Sequence, residues 1–405
     1  MNRRSFIKRS LFTLAATGMV PSLFSRTALA AGGNGKILVI YHLFGGNDAL
    51  NTLIPTDADT YATYTSYRPD IAIPKANIID LGAGQNLGLH PAMRPMADDL
   101  WDDGQLALVS LVGYPNHNRS HFYSTAVWNT ADPNHPNAYG WLGKFIDEKN
   151  DPFCATNFGP NLPRALRGVH TSGLSIESIG GFGLGTRGWE QKLQTELLRQ
   201  IQYSRNGTAE EVRGAMEHML RSVEKVRGAQ DEAFAPSTNF PDNTYGKRFR
   251  DIARLIKYEF PSQVYYASTG GFDTHANQGD ASNDSYHAGI LGDLSSALVA
   301  FKREMIAQNR WNDVMVMIFS EFGRRVEQNA SAGTDHGKGG VLFVTGGGVR
   351  GGIYGEKPVL DEEALDHGDL PVKVDFRSVY ADGARFIGAD PAELVGAEFS
   401  PIGLI

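Results

Sequence analysis

The sequence predicts an α/β protein of three layers, a largely parallel sheet with helices on both faces, and three observations carry that reading. Short β-branched or apolar runs alternate with longer amphipathic ones along the chain, as they do when crossover helices join parallel strands. The strand segments are apolar almost throughout, which suits strands covered on both faces. Small clusters of Gly, Asp, His, Glu and Ser adjoin the strands, where open α/β sheets bind their ligands.

Ile37–Tyr41 reads as the first strand, Pro91–Asp102 as a helix and Leu106–Leu111 as the second strand. The stretch from about Arg187 to Phe260 is charged, helical and poor in strands, so it reads as a helical insertion (about 187–260). It holds helices over Glu190–Ser204, Ala209–Phe234 and Tyr245–Tyr258, with Asn206-Gly207-Thr208 separating the first two. The strand Gln263–Ala267 and a helix over Tyr286–Asn309 follow. In that helix Ile290, Leu294, Leu298, Phe301 and Met305 recur at helical spacing and predict one buried face. Val314–Phe319 and Val341–Val344 complete the strands, and from Pro358 onward a short finishing region closes the same domain.

Residues 1–30 have the organisation of a twin-arginine signal peptide. A charged start with Arg3, Arg4, Lys8 and Arg9 precedes an apolar stretch from Leu11 to Leu23 and Ala28-Leu29-Ala30. The expectation is passage through the Tat machinery to the periplasm or the exterior, leaving one domain over residues 31–405. Removal of this segment takes away five basic residues and no acidic one, so the formal charge moves from −7 to −12. Such a surface repels nucleic acid and anionic lipid. No later stretch reaches the length of a membrane span. Cys154 is the one cysteine, which excludes an intramolecular disulfide.

Five polar clusters should meet at the sheet edge. Asp48 lies in Gly45-Gly46-Asn47-Asp48 after the first strand, and Ser120 lies between Arg119 and His121 after the second. Asp273 and His275 follow the third, Glu321 and Arg324 the fourth, and Asp335-His336 precedes the last. Asp, Glu and His are the ligands of divalent cations at hydrolytic sites. On a loop, Asp273 and His275 can reach one ion. Ser120 has the setting of a nucleophile or an anion-binding hydroxyl, and Arg324 could grip an anionic group. Each also has a plainer use: Asp48 shaping a turn, His275 as a hydrogen-bonded loop histidine, Ser120 as a helix N-cap, Glu321 and Arg324 as a mutual pair.

Gly45-Gly46-Asn47-Asp48, Gly271-Phe272-Asp273-Thr274-His275, Ser320-Glu321-Phe322-Gly323-Arg324, Gly333-Thr334-Asp335-His336-Gly337 and Asp375-Phe376-Arg377-Ser378-Val379-Tyr380 together resemble the domain-of-unknown-function 1501 family of exported bacterial proteins. That family is similar to the alkaline phosphatase and sulfatase superfamily. The resemblance implies an alkaline-phosphatase-like fold and a two-metal site that hydrolyses phosphate or sulfate esters. It places Asp48 at a first-strand metal ligand and Ser120 at the nucleophile. Asp273, His275 and His336 fall at further ligands, and Glu321-Phe322 at an Asp-His pair. Phe322 cannot bind a metal, so the resemblance implies one metal site and leaves the second short of a ligand. Neither Cys154-Ala155-Thr156 nor Ser120-His121-Phe122 supplies the sulfatase nucleophile motif.

The expected function is an exported metal-dependent hydrolase of phosphate or related esters, with an anionic small molecule or polymer as substrate. Asp48, Asp273, His275, Asp335 and His336 would hold zinc, manganese or calcium, while Ser120, Glu321 and Arg324 would serve the chemistry. The rival is a non-catalytic envelope protein that binds or assembles on a degenerate scaffold of the same kind. A glycan hydrolase with paired carboxylates is a third reading.

Overall fold

The computed structural model describes residues 35–82, 84–180, 226, 234–280 and 285–405. The twin-arginine signal expected at residues 1–30, the helix expected over Glu190–Ser204 and the Asn206-Gly207-Thr208 break lie outside the described residues. So does the helix Ala209–Phe234, apart from Val226 and Phe234.

The strands are β1 (Ile37–Leu43), β2 (Leu53–Pro55), β3 (Ile79–Asp80), β4 (Leu87–Leu89), β5 (Leu106–Gly113), β6 (Ala155–Phe158), β7 (Leu174–Ile176), β8 (Val264–Thr269), β9 (Val314–Phe319), β10 (Gly340–Gly346), β11 (Gly352–Tyr354) and β12 (Val374–Asp375). The main sheet runs β11-β5-β10-β9-β1-β8-β6-β7 with β12 beside β5, and β2-β4-β3 form a small separate sheet. Within the main sheet β10 is antiparallel to both its neighbours, while the other pairs are parallel. This reversal decides which loops meet. The loops after β1, β8 and β9 lie at the edge where those strands end, and the loop before β10 joins them because β10 starts there.

The main helices are α1 (Ala58–Tyr67), α2 (His121–Thr130), α3 (Trp141–Lys149), α4 (Thr244–Lys257), α5 (Tyr286–Ala307) and α6 (Phe376–Phe386). Strand alternation sends successive residues to opposite faces, and β1 shows the consequence. Val39, Tyr41 and Leu43 pack with Phe249 of α4 and Leu291, Leu294, Leu298 and Phe301 of α5. Leu38 and Ile40 pack with Trp128 of α2, Trp141 and Phe145 of α3, and Phe376 and Tyr380 of α6. On that second face Trp128 stacks on Phe319 and Phe376 with ring centres 4.6 and 4.2 Å apart. Burying each such ring stabilises by about 1.5–3 kcal/mol, with aromatic contact geometry adding to it. The three-layer α/β expectation therefore holds.

Several elements differ from expectation. Residues 91–102 form a 3-10 turn (Pro91–Met93), a short α-turn (Arg94–Met96) and a π-turn (Ala97–Trp101) instead of one regular helix. Pro95 lacks the N–H that an α-helix needs at that point. The α4 helix falls in the stretch read as an insertion, yet Tyr245, Phe249, Ile252, Ala253 and Ile256 bury one face of it in the core. The short strands β2, β3, β4, β6, β7, β11 and β12 went unpredicted, since runs of two to four residues carry no usable periodicity. Among the described residues no helix is long and apolar enough to cross a membrane.

Candidate functional site

The strand-end loops converge on one oxygen, Asp273 Oδ1. His275 Nε2 lies 3.1 Å from it, His336 Nε2 3.2 Å and His121 Nε2 3.4 Å. These four side chains come from the loop after β8, the loop before β10 and the first residue of α2. Their positions follow from local chain chemistry. Gly45 sits at φ +126°, and a Cβ there would stand 2.4 Å from the Asp273 amide nitrogen, so glycine lets the loops after β1 and β8 touch. Across the cluster, Thr334 N–H donates to the Thr274 carbonyl at 3.0 Å and Gly337 N–H to the Gly323 carbonyl at 2.9 Å. The loops are thereby tied to one another by backbone.

Each histidine is oriented through its Nδ1. His121 Nδ1 lies 2.7 Å from Glu321 Oε1, His275 Nδ1 2.9 Å from Asp335 Oδ1, and His336 Nδ1 2.8 Å from the Arg119 carbonyl. A carbonyl or carboxylate can only accept, so the imidazole is the donor in each of these pairs; with its one proton on Nδ1, a neutral ring would turn its Nε2 lone pair inward. In that form His121 and His336 present Nε2 lone pairs beside Asp273 Oδ1, with His275 on the flank next to His336. His275 Nε2 and His336 Nε2 stand 2.8 Å apart, which requires a shared proton or a cation. His121 Nε2 is buried and has no hydrogen-bond partner among the described residues. Carboxylate and imidazole ligands at about 2.0–2.1 Å around a tetrahedral zinc stand roughly 3.3 Å from one another, close to the separations from Asp273. His121, Asp273 and His336 bring ligand atoms within 4.8 Å of one another. The donor set therefore fits a zinc-like cation, and less well calcium, which prefers six or more oxygens.

The electrostatics agree with this arrangement. Burial pushes the Asp273 carboxyl up, but hydrogen bonds from Arg324 and His336 bring it net below the usual aspartate range. The hydrogen bond from His275 does the same for Asp335. Glu321 is buried, which raises its pKa, yet the bonds from His121 and His42 hold the carboxyl far below the ordinary value. Its hydrogen bond to His121 raises that imidazole's affinity for protons.

The structure redistributes the roles read from sequence. Asp273, His275 and His336, read from sequence as metal ligands, lie side by side in the cluster. Asp335 orients His275 and is not among the converging atoms. Asp48 is a correction: it is fully buried, caps the short helix Ala49–Thr52 and pairs with Arg68 at 2.6 and 3.0 Å. Gln278 Nε2 donates to the same carboxylate at 2.6 Å, so both oxygens are committed. Glu321, expected as a base, accepts from His42 Nε2 at 3.0 Å, from the Gly45 N–H at 2.9 Å and from His121. It orients His121, and both its oxygens are occupied by these neighbours.

Arg324 grips no anion in solvent. Its guanidinium is buried and donates to the carbonyls of Gly46, Thr334, Gly45 and Phe272 and to Asp273. Ser120 occupies the N-cap position of α2 but makes no side-chain capping bond, and it is exposed. Cys154 is buried and its thiol is pushed up to about 12 by desolvation, so it supplies no thiolate. Phe322, where a ligand of a second metal was sought, packs its ring 4.9 Å from His121 and 4.8 Å from His336.

Two members went unread. His121 was taken as a cationic neighbour of Ser120, although its place at a helix start after a strand was the available signal. His42 gave a fainter one, an imidazole in the otherwise apolar run Ile37–Leu43 apart from Tyr41. A cavity of about 390 Å³ adjoins the cluster, lined by Gly271, Asp273, Thr274, Ala276, Asn277 and Tyr286.

The family model described as a protein of unknown function, DUF1501, matches residues 36–399. The chain belongs to that family. No curated protein matches. Among solved structures, one similar chain is a protein in the alkaline phosphatase superfamily from Vibrio parahaemolyticus, at 9% identity over 89% of this chain and 68% of that one, with a TM-score of 0.39. Another is a lipoteichoic acid synthase from Listeria monocytogenes, at 10% identity over 90% and 74%, with a TM-score of 0.31. A third is alkaline phosphatase from the Antarctic bacterium TAB5, at 8% identity over 78% and 93%, with a TM-score of 0.32.

Proposed function

We propose that this chain is an exported hydrolase of phosphate or related esters that works with one divalent cation held by His121, Asp273, His275 and His336. The convergence of three Nε2 atoms on Asp273 Oδ1, from rings whose Nδ1 each has its own acceptor, carries the reading. When bound, such a cation supplies Lewis acidity toward an ester oxygen or an attacking water. The chain's own residues do the rest. Glu321, Asp335 and the Arg119 carbonyl hold the three Nδ1 protons. Arg324 fixes the Asp273 carboxylate at 2.7 Å. Phe322 closes one flank against water, and the cavity beside Asp273 leaves room for the alcohol part of a substrate. Export rests on the signal read at residues 1–30, and the phosphate class on the motif resemblance.

The test is metal analysis of the purified chain, followed by turnover of phosphomonoesters, phosphodiesters and sulfate esters with zinc, manganese and calcium in turn. Stoichiometric metal and turnover lost on chelation are expected. A chain that takes up no metal overturns the centre.

A second reading has its own observation in support. Ser120, Glu321 and Arg324 are, respectively, without a bonded base among the described residues, filled by neighbours, and committed to backbone carbonyls. A cation site retained without a positioned nucleophile suits a binding or assembly protein of the envelope. Stoichiometric metal with no turnover on any ester favours it.

A further inference from the structure

Asp369 is a fully buried carboxylate that stands outside the cluster. Its Oδ2 accepts a hydrogen bond from Arg119 Nη2. Its Oδ1 has no hydrogen-bond partner among the described residues, and Arg325 Nη1 stands 3.7 Å away. A carboxylate removed from water is unfavourable unless it is paired, so this site holds the Arg119 side chain firmly. The Arg119 side chain is itself 42% exposed; its anchorage comes from Asp369 rather than from burial of the arginine.

Asp369 is rigidly placed. Its N–H donates to the Asp366 carbonyl at 3.2 Å and its carbonyl accepts from the Asp366 N–H at 2.9 Å. Arg325 Nη2 donates to the His367 carbonyl inside this turn at 2.9 Å. Lys338, two residues beyond His336, donates to Asp366 Oδ2 at 2.6 Å. The turn 366–369 thus grips the chain on two sides of His336, at Arg119 and at Lys338. The ring's Nδ1 meets the Arg119 carbonyl at 2.8 Å, while its Nε2 meets Asp273 Oδ1 at 3.2 Å. These two acceptors compete for the single proton of the neutral ring.

We propose that Asp369 is a positioning residue for His336: through Arg119 it holds the carbonyl that keeps the ring proton on Nδ1 and leaves the Nε2 lone pair facing the cluster. The proposal extends the metal-centre reading from the ligands to a buried group that touches none of them. Its structural half stands without a metal.

The experiment compares the full chain with Asp369→Asn by ¹⁵N spectroscopy of the histidine rings, stripped of metal and at a pH where the rings are neutral. Zinc affinity is measured alongside by competition with a chromogenic chelator, and circular dichroism checks the fold. The parent is expected to show His336 protonated at Nδ1, and Asp369→Asn a ring shifted toward the Nε2-protonated form with zinc bound about 10–100-fold more weakly. If Asp369→Asn does not fold, Arg119→Met, which keeps the backbone carbonyl and removes its anchor, is expected to give the same shift. A folded variant with the parent's tautomer overturns the proposal, as does a parent whose His336 carries its proton on Nε2. If the parent binds no zinc, the metal reading fails and the tautomer alone decides the role of Asp369.

Discussion

Asp48 and Asp273 start from equivalent places. Each follows one of two adjacent parallel strands, β1 and β8, at the same edge of the sheet, and each meets an arginine. Their fates differ in burial and in how the arginine is shared. Asp48 and Arg68 are both fully buried and joined by two hydrogen bonds of 2.6 and 3.0 Å. Asp273 keeps 47% of its side chain exposed, and Arg324, already occupied by backbone carbonyls, contributes 2.7 Å contact to one oxygen. The first carboxylate is neutralised by a dedicated partner and has become a strut. The second is held in place but left with a face toward three imidazoles.

The strut still serves the cluster. Asp48 accepts from Gln278, whose Oε1 accepts from Thr274 Oγ1 at 2.9 Å and Thr334 Oγ1 at 2.8 Å. Those two threonines precede His275 by one residue and His336 by two. Buried polar networks of this kind fix a unique arrangement when every member is satisfied.

The largest effect that should separate the two aspartates is on stability. Arg68→Ala strands a buried carboxylate and is expected to cost about 3–5 kcal/mol of unfolding free energy. Asp273→Asn keeps an oxygen for Arg324 and should stay within about 1 kcal/mol of the parent. Urea unfolding followed by circular dichroism checks both, and equal losses would erase the contrast.

Metal affinity should divide them the other way. Asp273→Asn is expected to weaken zinc binding by at least about 10-fold, and Asp48→Asn by clearly less, acting only through the loops. Chelator competition on the full chain measures this. Weaker binding in Asp48→Asn than in Asp273→Asn would return Asp48 to the ligand set.

Least is expected from pH between about 5 and 8. Burial alone would raise the Asp48 carboxyl, but Arg68 brings it net below the usual aspartate range. A carboxyl with a depressed folded pKa contributes stability that is complete above its unfolded value near 4, and loses it as pH falls through the lower folded value. Unfolding free energy measured against pH in the parent and Asp48→Asn should therefore differ by a constant amount from pH 5 to 8. A difference that shrinks across that interval as pH falls would contradict the pairing.

Much of the fold was legible in the chain. Apolar runs located β1, β5, β8, β9 and β10, and helical periodicity located α4 and α5, because long runs average out local exceptions. Asp273, His275 and His336 were legible from their place beside strands. Asp48 was misread because an Asp after glycines looks alike as a ligand and as a cap, and Arg68, which decides between them, lies twenty residues away. His121 was passed over because its Nδ1 partner, Glu321, is distant in sequence.

By itself the sequence determined the layered α/β architecture, the family and the loops that carry polar chemistry, since these depend on local pattern and composition. Only the tertiary structure decided which carboxylate faces the cluster. It did so by running β10 antiparallel, which brings His336 to the edge, and by placing Arg68, Glu321 and Asp369 against particular partners. Charge pairing and proton placement act over a few ångströms of space, and no spacing along the chain encodes that distance.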